Sequence, residues 1–448
     1  MKLLLMSLIM LMLSPFKKIK EILILQIIVA MTLLYNWTNF SFGKLLSMEV
    51  LVDFISINMV VLTFLLILIS LMLNDYLVKS NLMKNLIVLM LIVLLLLFIT
   101  CDWLLFFAMF EFSLIPISLM IIYFGYQPER VEAFYYIFFY TIFVSLPLLI
   151  MILYFKASKI PFAEYFDYFI SYNFFFLNNW STVSFLIMFT AMCVKIPMFL
   201  FHSWLPKAHV EAPLIGSILL AGILLKMGGY GIYRMLNFWK PILLDLKIKY
   251  FLFSISLWGM LLICLLCLLE TDMKSIIAYS SISHMNFMLS SVWMWKFSSL
   301  KSSLLMMMSH GFTSSFLFYL VNCCYLFTHS RSLFLNKYFI SMFPMLTSFW
   351  FMALCMNSGI PPSSGMFSEL IISISLVSVF FWSMVLIFFY LIFSGVYSMY
   401  LYVNLNHGDS NWYSMIYKNY LIKHSDYLVM FLHMFFSLGM VWYSYMVI

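Results

Sequence analysis

The sequence predicts an all-α polytopic membrane protein, and three observations carry that prediction. Of the 448 residues, 65% are hydrophobic and 9% charged, and the mean hydropathy is strongly positive, which excludes a soluble globular domain. The apolar residues come in runs of about 20, the length of a helix that crosses a bilayer. The connectors between them are short, so residues 1–448 form one integral membrane domain without room for a sizeable extramembrane part. Finally, proline interrupts two of the runs, at KIP (195–197) and at GIPP (359–362). Paired discontinuous helices in corresponding halves of a chain point to a repeat-built transporter and its binding sites. A transmembrane β-barrel is excluded, because alternation is absent and the runs exceed the length of a barrel strand.

In chain order the apolar runs lie near 1–16, 20–36, 53–73, 85–101, 103–123, 131–155, 181–205, 210–235, 246–269, 275–296, 301–326, 341–378, 380–404 and 427–446. Counting the divided run at 341–378 as one interrupted helix, this predicts about 14 transmembrane helices. The opening MKLLLMSLIMLML is followed by Ser14, Pro15, Phe16 and a basic cluster rather than a small-residue cleavage site, so it reads as an uncleaved first span. An Arg-rich amphipathic presequence is also missing, which fits synthesis inside a mitochondrion and fits a bacterial membrane equally.

The formal net charge of +7 is spread through short loops. Nucleic-acid binding has no footprint in such a distribution, and the basic excess suits phospholipid headgroups and partner subunits. Cys264 and Cys267 form a CxxC inside an apolar run, and Cys323 and Cys324 are adjacent in another. Without a second pair or nearby histidines these read as small buried hydrophobes rather than metal or iron-sulfur ligands. Asp53, Asp102, Glu129, Glu132, Asp245, Glu270 and Asp272 fall at span ends or loops, where solvation is the default account. Tyr and Trp rings near span ends fit interfacial anchors.

The charges within the apolar runs are harder to place. A lysine at the bilayer centre costs about 2.5 to 3.5 kcal/mol on insertion scales, and Lys195 and Lys226 sit in successive runs. Either both snorkel to the headgroups or they line an internal hydrated proton or ion site. Pro197 favours the second reading for Lys195, since a broken helix at membrane depth is tolerated only against protein or a wet cavity. Glu111 lies midway through DWLLFFAMFEFSLIPISLMIIYF, too deep for its short stem to reach water. It is either a neutral hydrogen-bonded acid or the ionised partner of a lysine elsewhere. Desolvation disfavours the charged form of both residue types and pairing restores it, so a Glu–Lys contact that forms and breaks makes a proton switch. His202, His209, Glu211, His284, His310 and Glu369 extend the polar set over further runs. Each histidine alone is equally well a structural hydrogen-bonding residue, but histidine titrates near neutrality and suits a relay.

Four stretches carry a resemblance: KIPMFLFHSWLPKAHVEAPLIGSILLAGILLKMGGYG (195–231), TDMKSIIAYSSISHMNFM (271–288), SHGFTSSFLFYL (309–320) and NSGIPPSSGMFSEL (357–370). Together they resemble the chain 4 family of mitochondrial NADH–ubiquinone oxidoreductase, the antiporter-like membrane subunits of respiratory complex I. The likeness covers nearly the whole chain, and the Phe-rich connector at 156–180 is its least familiar part. HVEAP at 209–213 and glutamate at 369 favour chain 4 over the related chains 2 and 5, which usually place lysine at that last position. No long lateral helix of the chain 5 kind follows the last apolar run. A multisubunit cation/proton antiporter component is the nearest alternative, and a purely structural membrane scaffold is the third. The Leu, Ile, Met, Phe and Tyr bias resembles an AT-rich arthropod mitochondrial genome.

The resemblance implies a fourteen-helix subunit of the mitochondrial inner membrane with two inverted five-helix repeats, at about 85–235 and 246–404. It also implies that Glu111 and Lys195 form a switching pair, Lys226 a central relay, His310 the link between halves and Glu369 the terminal proton carrier. His202, His209 and His284 fall near uptake or relay routes. NADH, FMN, iron-sulfur clusters and ubiquinone belong to other subunits of the complex, and none is expected in this chain. The expected partners are the other complex I membrane subunits, above all neighbouring antiporter-like and supernumerary ones, and phospholipids including cardiolipin.

Overall fold

Long apolar runs become helices because a helix satisfies every backbone N–H and C=O within one segment, as a bilayer demands. The computed structural model describes residues 44–47, 50–73, 80–157, 179–243, 246–408 and 422–447. The expected spans at 1–16 and 20–36, and most of the connector at 156–180, lie outside the described residues. Among the described residues the secondary structure is helical apart from a short antiparallel ribbon of β1 (Lys44–Ser47) and β2 (Val50–Val52). Eight described helical stretches are long and apolar enough to cross a membrane: Phe54–Met72, Asn81–Ile99, Trp103–Phe124, Arg130–Ala157, Leu214–Leu236, Ile248–Leu269, Phe297–Thr328 and Ser383–Asn406.

The chain divides into two compact units. The first takes Met1–Met192, Glu211–Gly216 and Tyr230–Ile242. Its helices begin with α1 (Phe54–Met72), α2 (Asn81–Ile99), α3 (Trp103–Phe112), α4 (Leu114–Phe124) and α5 (Arg130–Ala157). Ser80 caps α2 by accepting the Met83 N–H at 3.3 Å. The run at 103–123 is divided at Ser113. Pro116 has no N–H to give the Phe112 carbonyl four residues back and its ring crowds that carbonyl; the Ser113 hydroxyl donates to the Phe110 carbonyl at 2.7 Å beside the break. Asp53, expected to be merely solvated at a span end, instead holds Arg234 across 2.5 Å, and the guanidinium also lies over the Tyr230 ring. Arg234 is only 3% exposed, so its charge requires that partner.

The second unit takes Cys193–Val210, Ser217–Gly229 and Leu243–Ile448. Helix α6 (Asn179–Lys195) runs into it, and α7 (Trp204–Glu211) follows the first interruption. Helix α8 (Leu214–Leu219) passes through a π-helical turn at Leu220–Leu224 into α9 (Leu225–Leu243). After these come α10 (Leu246–Leu269), α11 (Met273–Met294) and α12 (Phe297–Thr328), then a single turn α13 (Phe339–Met342). The run at 341–378 is divided into α14 (Pro344–Asn357) and α15 (Ser364–Val377), and α16 (Ser383–Asn406) and α17 (His424–Val447) complete the chain.

Helix α12 lies at the centre of this unit, buried along its most apolar window, and contacts α11, α14, α15 and α17. Lipid tails are as apolar as leucine, so small residues that permit close approach do the packing. Helix α11 supplies them as serines whose hydroxyls donate back to the carbonyl three residues earlier, as at Ser280, Ser281, Ser283, Ser290 and Ser291. Gly229 serves the same end: a Cβ there would collide with the Met307 sulfur of α12. By contrast, α16 turns apolar side chains such as Phe388 and Val396 outward, where lipid suits them.

Both proline interruptions are real breaks with their own hydrogen-bond repair. Pro197 has no N–H for the Cys193 carbonyl, and the Met198 N–H takes it at 3.0 Å. That leaves the Val194 carbonyl, which accepts the Trp204 indole N–H at 2.9 Å. Leu200 is held at φ 86°. Asn286 of α11 then serves both sides of the opened backbone: its Oδ1 accepts the Phe199 N–H at 3.1 Å, and its Nδ2 donates to the Pro197 carbonyl at 3.4 Å and the Ile282 carbonyl at 2.9 Å. In the second break Gly359 takes φ 69°, the left-handed conformation glycine adopts without strain. The Ile360 N–H reaches back five residues to the Cys355 carbonyl at 3.0 Å. Asn286→Ala should orphan the part-buried Phe199 N–H, at a cost of about 1 kcal/mol, and lower the thermal midpoint of the assembled protein. A midpoint equal to wild type would show that the first break stands without Asn286.

Candidate functional site: a line of buried titratable side chains

The charges singled out in the sequence lie beside helix irregularities. Glu111 is in the last turn of α3, two residues before the break at Ser113, half-buried, with its Oε1 shielded and without a hydrogen-bond partner among the described residues. Lys195 is the last residue of α6, directly before the Pro197 break, and is 3% exposed. Lys226 is fully buried just after the π turn. In that turn the Leu225 N–H bonds the Leu220 carbonyl, five residues back instead of four. The Lys226 ammonium donates to the Ala221 carbonyl of the same turn at 2.5 Å. Such π-bulges occur frequently at functional sites. Here the bulge gives a buried lysine a backbone acceptor in its own helix.

From Lys226 a line of polar side chains crosses the second unit. Its Nζ lies 2.9 Å from His310 Nδ1 of α12. The His310 ring faces the His284 ring of α11 with centroids 5.6 Å apart, and His284 Nδ1 is 3.5 Å from Glu369 Oε1 of α15. Lys226, His310, His284 and Glu369 are each under 5% exposed. The hydroxyls of Ser309, Thr313 and Ser314 beside His310 donate to carbonyls of α12 itself, those of Ser314 and Thr313 to that of His310. Glu369 bends back onto the second break, where a Cβ at Gly359 would collide with its Oε2. That glycine is therefore required twice, by its backbone angle and by the carboxylate against it.

His209 is fully buried in α7 and stacked on Phe318 at 4.8 Å. Neither of its ring nitrogens has a hydrogen-bond partner among the described residues. His202 lies in the first break, partly exposed, its ring stacked on Phe199 at 5.7 Å. Lys274 and Arg331 both donate to the Val210 carbonyl beside His209, at 3.2 and 2.9 Å. Among the described residues no group of three His, Cys, Asp or Glu side chains is arranged to hold a metal.

Sequence reasoning missed several residues of this line. Tyr390 and Tyr397, which belong to the ring class read as interfacial anchors, are buried in the middle of α16 and meet His284 on both ring nitrogens, at 2.8 and 3.2 Å. A signal was present: buried Ser383, Tyr390, Ser394, Tyr397 and Ser398 form a hydroxyl stripe at helical spacing along an otherwise apolar helix. His433 of α17 was also passed over; it is buried, stacked on Phe316, with Nδ1 at 3.4 Å from the Ser315 hydroxyl.

Comparison with known proteins fits this picture. The profile of the NADH:quinone oxidoreductase/Mrp antiporter transmembrane family matches residues 100–395. NADH-ubiquinone oxidoreductase chain 4 of Rhipicephalus sanguineus is 42% identical over 332 residues, 74% of this chain and 72% of the relative. The same protein of Ceratitis capitata is 40% identical over 342 residues, covering 75% and 73%, and that of Albinaria caerulea is 39% identical over 339 residues, covering 75% of each. In solved structures, the fold matches a chain of respiratory complex I from Thermus thermophilus with TM-score 0.80 at 20% identity, covering 93% of this chain and 89% of that one. It also matches a chain of the Mrp complex from Dietzia sp. with TM-score 0.72 at 18% identity, covering 80% and 67%. The chain belongs to the NADH:quinone oxidoreductase/Mrp antiporter transmembrane family, among the NADH–ubiquinone oxidoreductase chain 4 proteins, antiporter-like subunits of respiratory complex I that cross the mitochondrial inner membrane many times.

Proposed function

We propose that this chain translocates protons in NADH:ubiquinone oxidoreductase along the path Glu111, Lys195, Lys226, His310 and Glu369, with His284 between the last two. The observation that carries the reading is the buried contact of Lys226 with His310 at 2.9 Å, continued by His284 toward Glu369. A lysine and two histidines in van der Waals or hydrogen-bond reach, inside an apolar helix bundle, gain nothing for stability that aliphatic side chains would not supply. Ionisable groups at membrane depth mark proton and ion pathways.

On this reading the chain is a fourteen-helix subunit with inverted five-helix repeats at about 85–235 and 246–404, and the two proline breaks are their corresponding interruptions. Redox chemistry elsewhere in the complex, on NADH, FMN, iron-sulfur clusters and ubiquinone held by other subunits, alters the charge or conformation next to Glu111. The weakened Glu111–Lys195 attraction lets Lys195 release its proton toward Lys226. From there His310 and His284 pass it to Glu369, and reprotonation of Lys195 comes from the opposite route. His202 and His209 lie near uptake routes. Neighbouring antiporter-like and supernumerary subunits, and phospholipids including cardiolipin, cover the lipid-facing helices.

Two substitutions test the path. Lys195→Ala should lower the protons moved per NADH oxidised several-fold in sealed vesicles of the reconstituted complex, with the variant still incorporated; unchanged coupling rejects the switch. Glu369→Gln keeps volume and hydrogen bonding but cannot change protonation, so it should depress proton yield more than assembly. Wild-type rate and wild-type yield, with leak measured separately, would remove Glu369 from the obligatory route. Sodium-driven transport without NADH-linked electron transfer would instead favour a cation exchanger.

A further inference from the structure

His284 is gripped on both sides by one helix. Tyr390 and Tyr397 are two turns apart on α16, both buried, and their hydroxyls lie 2.8 Å from Nδ1 and 3.2 Å from Nε2 of the same imidazole. The Tyr390 ring is also packed on Phe287 of α11 at 4.8 Å. Tyr397 is tied further, its hydroxyl accepting from Asn357 Nδ2 at 3.4 Å, and Asn357 ends α14 directly at the second break. Glu369 Oε1 approaches the same Nδ1 as Tyr390 but stops at 3.5 Å. Two oxygens therefore face one ring nitrogen, the Tyr390 hydroxyl in hydrogen-bond contact and the Glu369 carboxylate just beyond it.

We infer that Tyr390 is a positioning residue that gates proton transfer from His284 to Glu369 by competing with the carboxylate for Nδ1, while Tyr397 holds Nε2. This rests on the proton path proposed above. A neutral imidazole has one bare and one protonated nitrogen, whereas a tyrosine hydroxyl both donates and accepts. With Nδ1 bare, it accepts the Tyr390 O–H, and Nε2–H donates to the Tyr397 oxygen. When a proton arrives on the ring, both nitrogens become donors and Tyr390 must rotate its O–H away. The charge-assisted bond to a carboxylate is then the stronger choice for Nδ1–H, so closing the 3.5 Å gap delivers the proton to Glu369. Its departure restores the Tyr390 hydrogen bond and reopens the gap, which opposes return. The titratable and charged groups that face this cluster are Lys226 of α9, His310 of α12, Glu369 of α15 and the Cys264 and Cys267 thiols of α10.

The test is the pH profile of proton yield per NADH in vesicles containing the assembled complex. Tyr390→Phe removes one oxygen and keeps the ring against Phe287. The carboxylate then becomes the sole partner of Nδ1 and holds the proton longer, so the profile should move to higher pH by about one unit, a tenfold change in proton hold. Glu369→Asp draws the carboxylate away from Nδ1 and should move it the opposite way, which keeps the test available if Tyr390→Phe is not incorporated. Tyr397→Phe should lower the yield with the profile unmoved. An unmoved profile in both Tyr390→Phe and Glu369→Asp, or equal displacement by Tyr390→Phe and Tyr397→Phe, overturns the gate. If Glu369→Gln also retains wild-type yield, the whole path falls with it; if Glu369→Gln loses yield, only the gate does.

Discussion

The contact between Lys226 and His310 sets the terms for the rest of this molecule. A lysine ammonium taken out of water must find acceptors within reach or give up its proton, and hydrocarbon offers none. Lys226 finds two: the Ala221 carbonyl below it and the His310 ring beside it. The carbonyl lies in the π turn at Leu220–Leu224, so the helix carries an irregularity where the charge needs one. The ring sits on α12 because that helix is buried deeply enough to present a histidine to one neighbour after another.

The same coupling of charge to broken backbone recurs along the chain. Glu111 precedes the interruption at Ser113, Lys195 ends at the Pro197 break, and Glu369 folds back against Gly359. An intact helix consumes its own carbonyls and N–H groups, so it has little to offer a buried charge. A break releases several at once, and each must then be satisfied in a medium without water to do it. Asn286 and Trp204 meet that requirement at the first break, which explains why side chains with no charge and no place in the proposed relay are fixed so firmly around it.

How much of this was legible in the sequence follows from the same physics. Apolar runs showed where helices lie, since length and hydropathy are one-dimensional properties; the run at 246–269 and helix α10 coincide to the residue. Pro197, Gly359 and Pro361 announced two of the breaks because proline and glycine act on their own backbone. The division at Ser113 had a sign in Pro116 that passed unread, and the π turn had none, because LAGIL contains nothing that forbids a regular helix. Residues whose role depends on a distant partner were the ones lost: Asp53 waits on Arg234, 181 positions away, and Tyr390 waits on His284, 106 positions away. A carboxylate at a span end and a tyrosine in an apolar run look ordinary until the fold supplies the partner.

The contacts around the charged line also indicate how it can shift without opening cavities. Discontinuous helices meet their neighbours repeatedly through methionine: Met307 of α12 fills the space beside Gly229, Met306 receives the Ser368 hydroxyl of α15, and Met356 of α14 receives that of Ser437 of α17. A thioether with three rotatable bonds refills a gap at little cost, where a β-branched side chain would lock one geometry. Those contacts lie at the second break and just after the π turn, beside the segments that carry Lys226 and Glu369. The relay proposed here closes a gap of 3.5 Å and reopens it, and such a relay needs walls that follow the motion. Serine and methionine at these crossings give the bundle close packing at rest together with freedom to adjust where the proposed relay has its charges change partners.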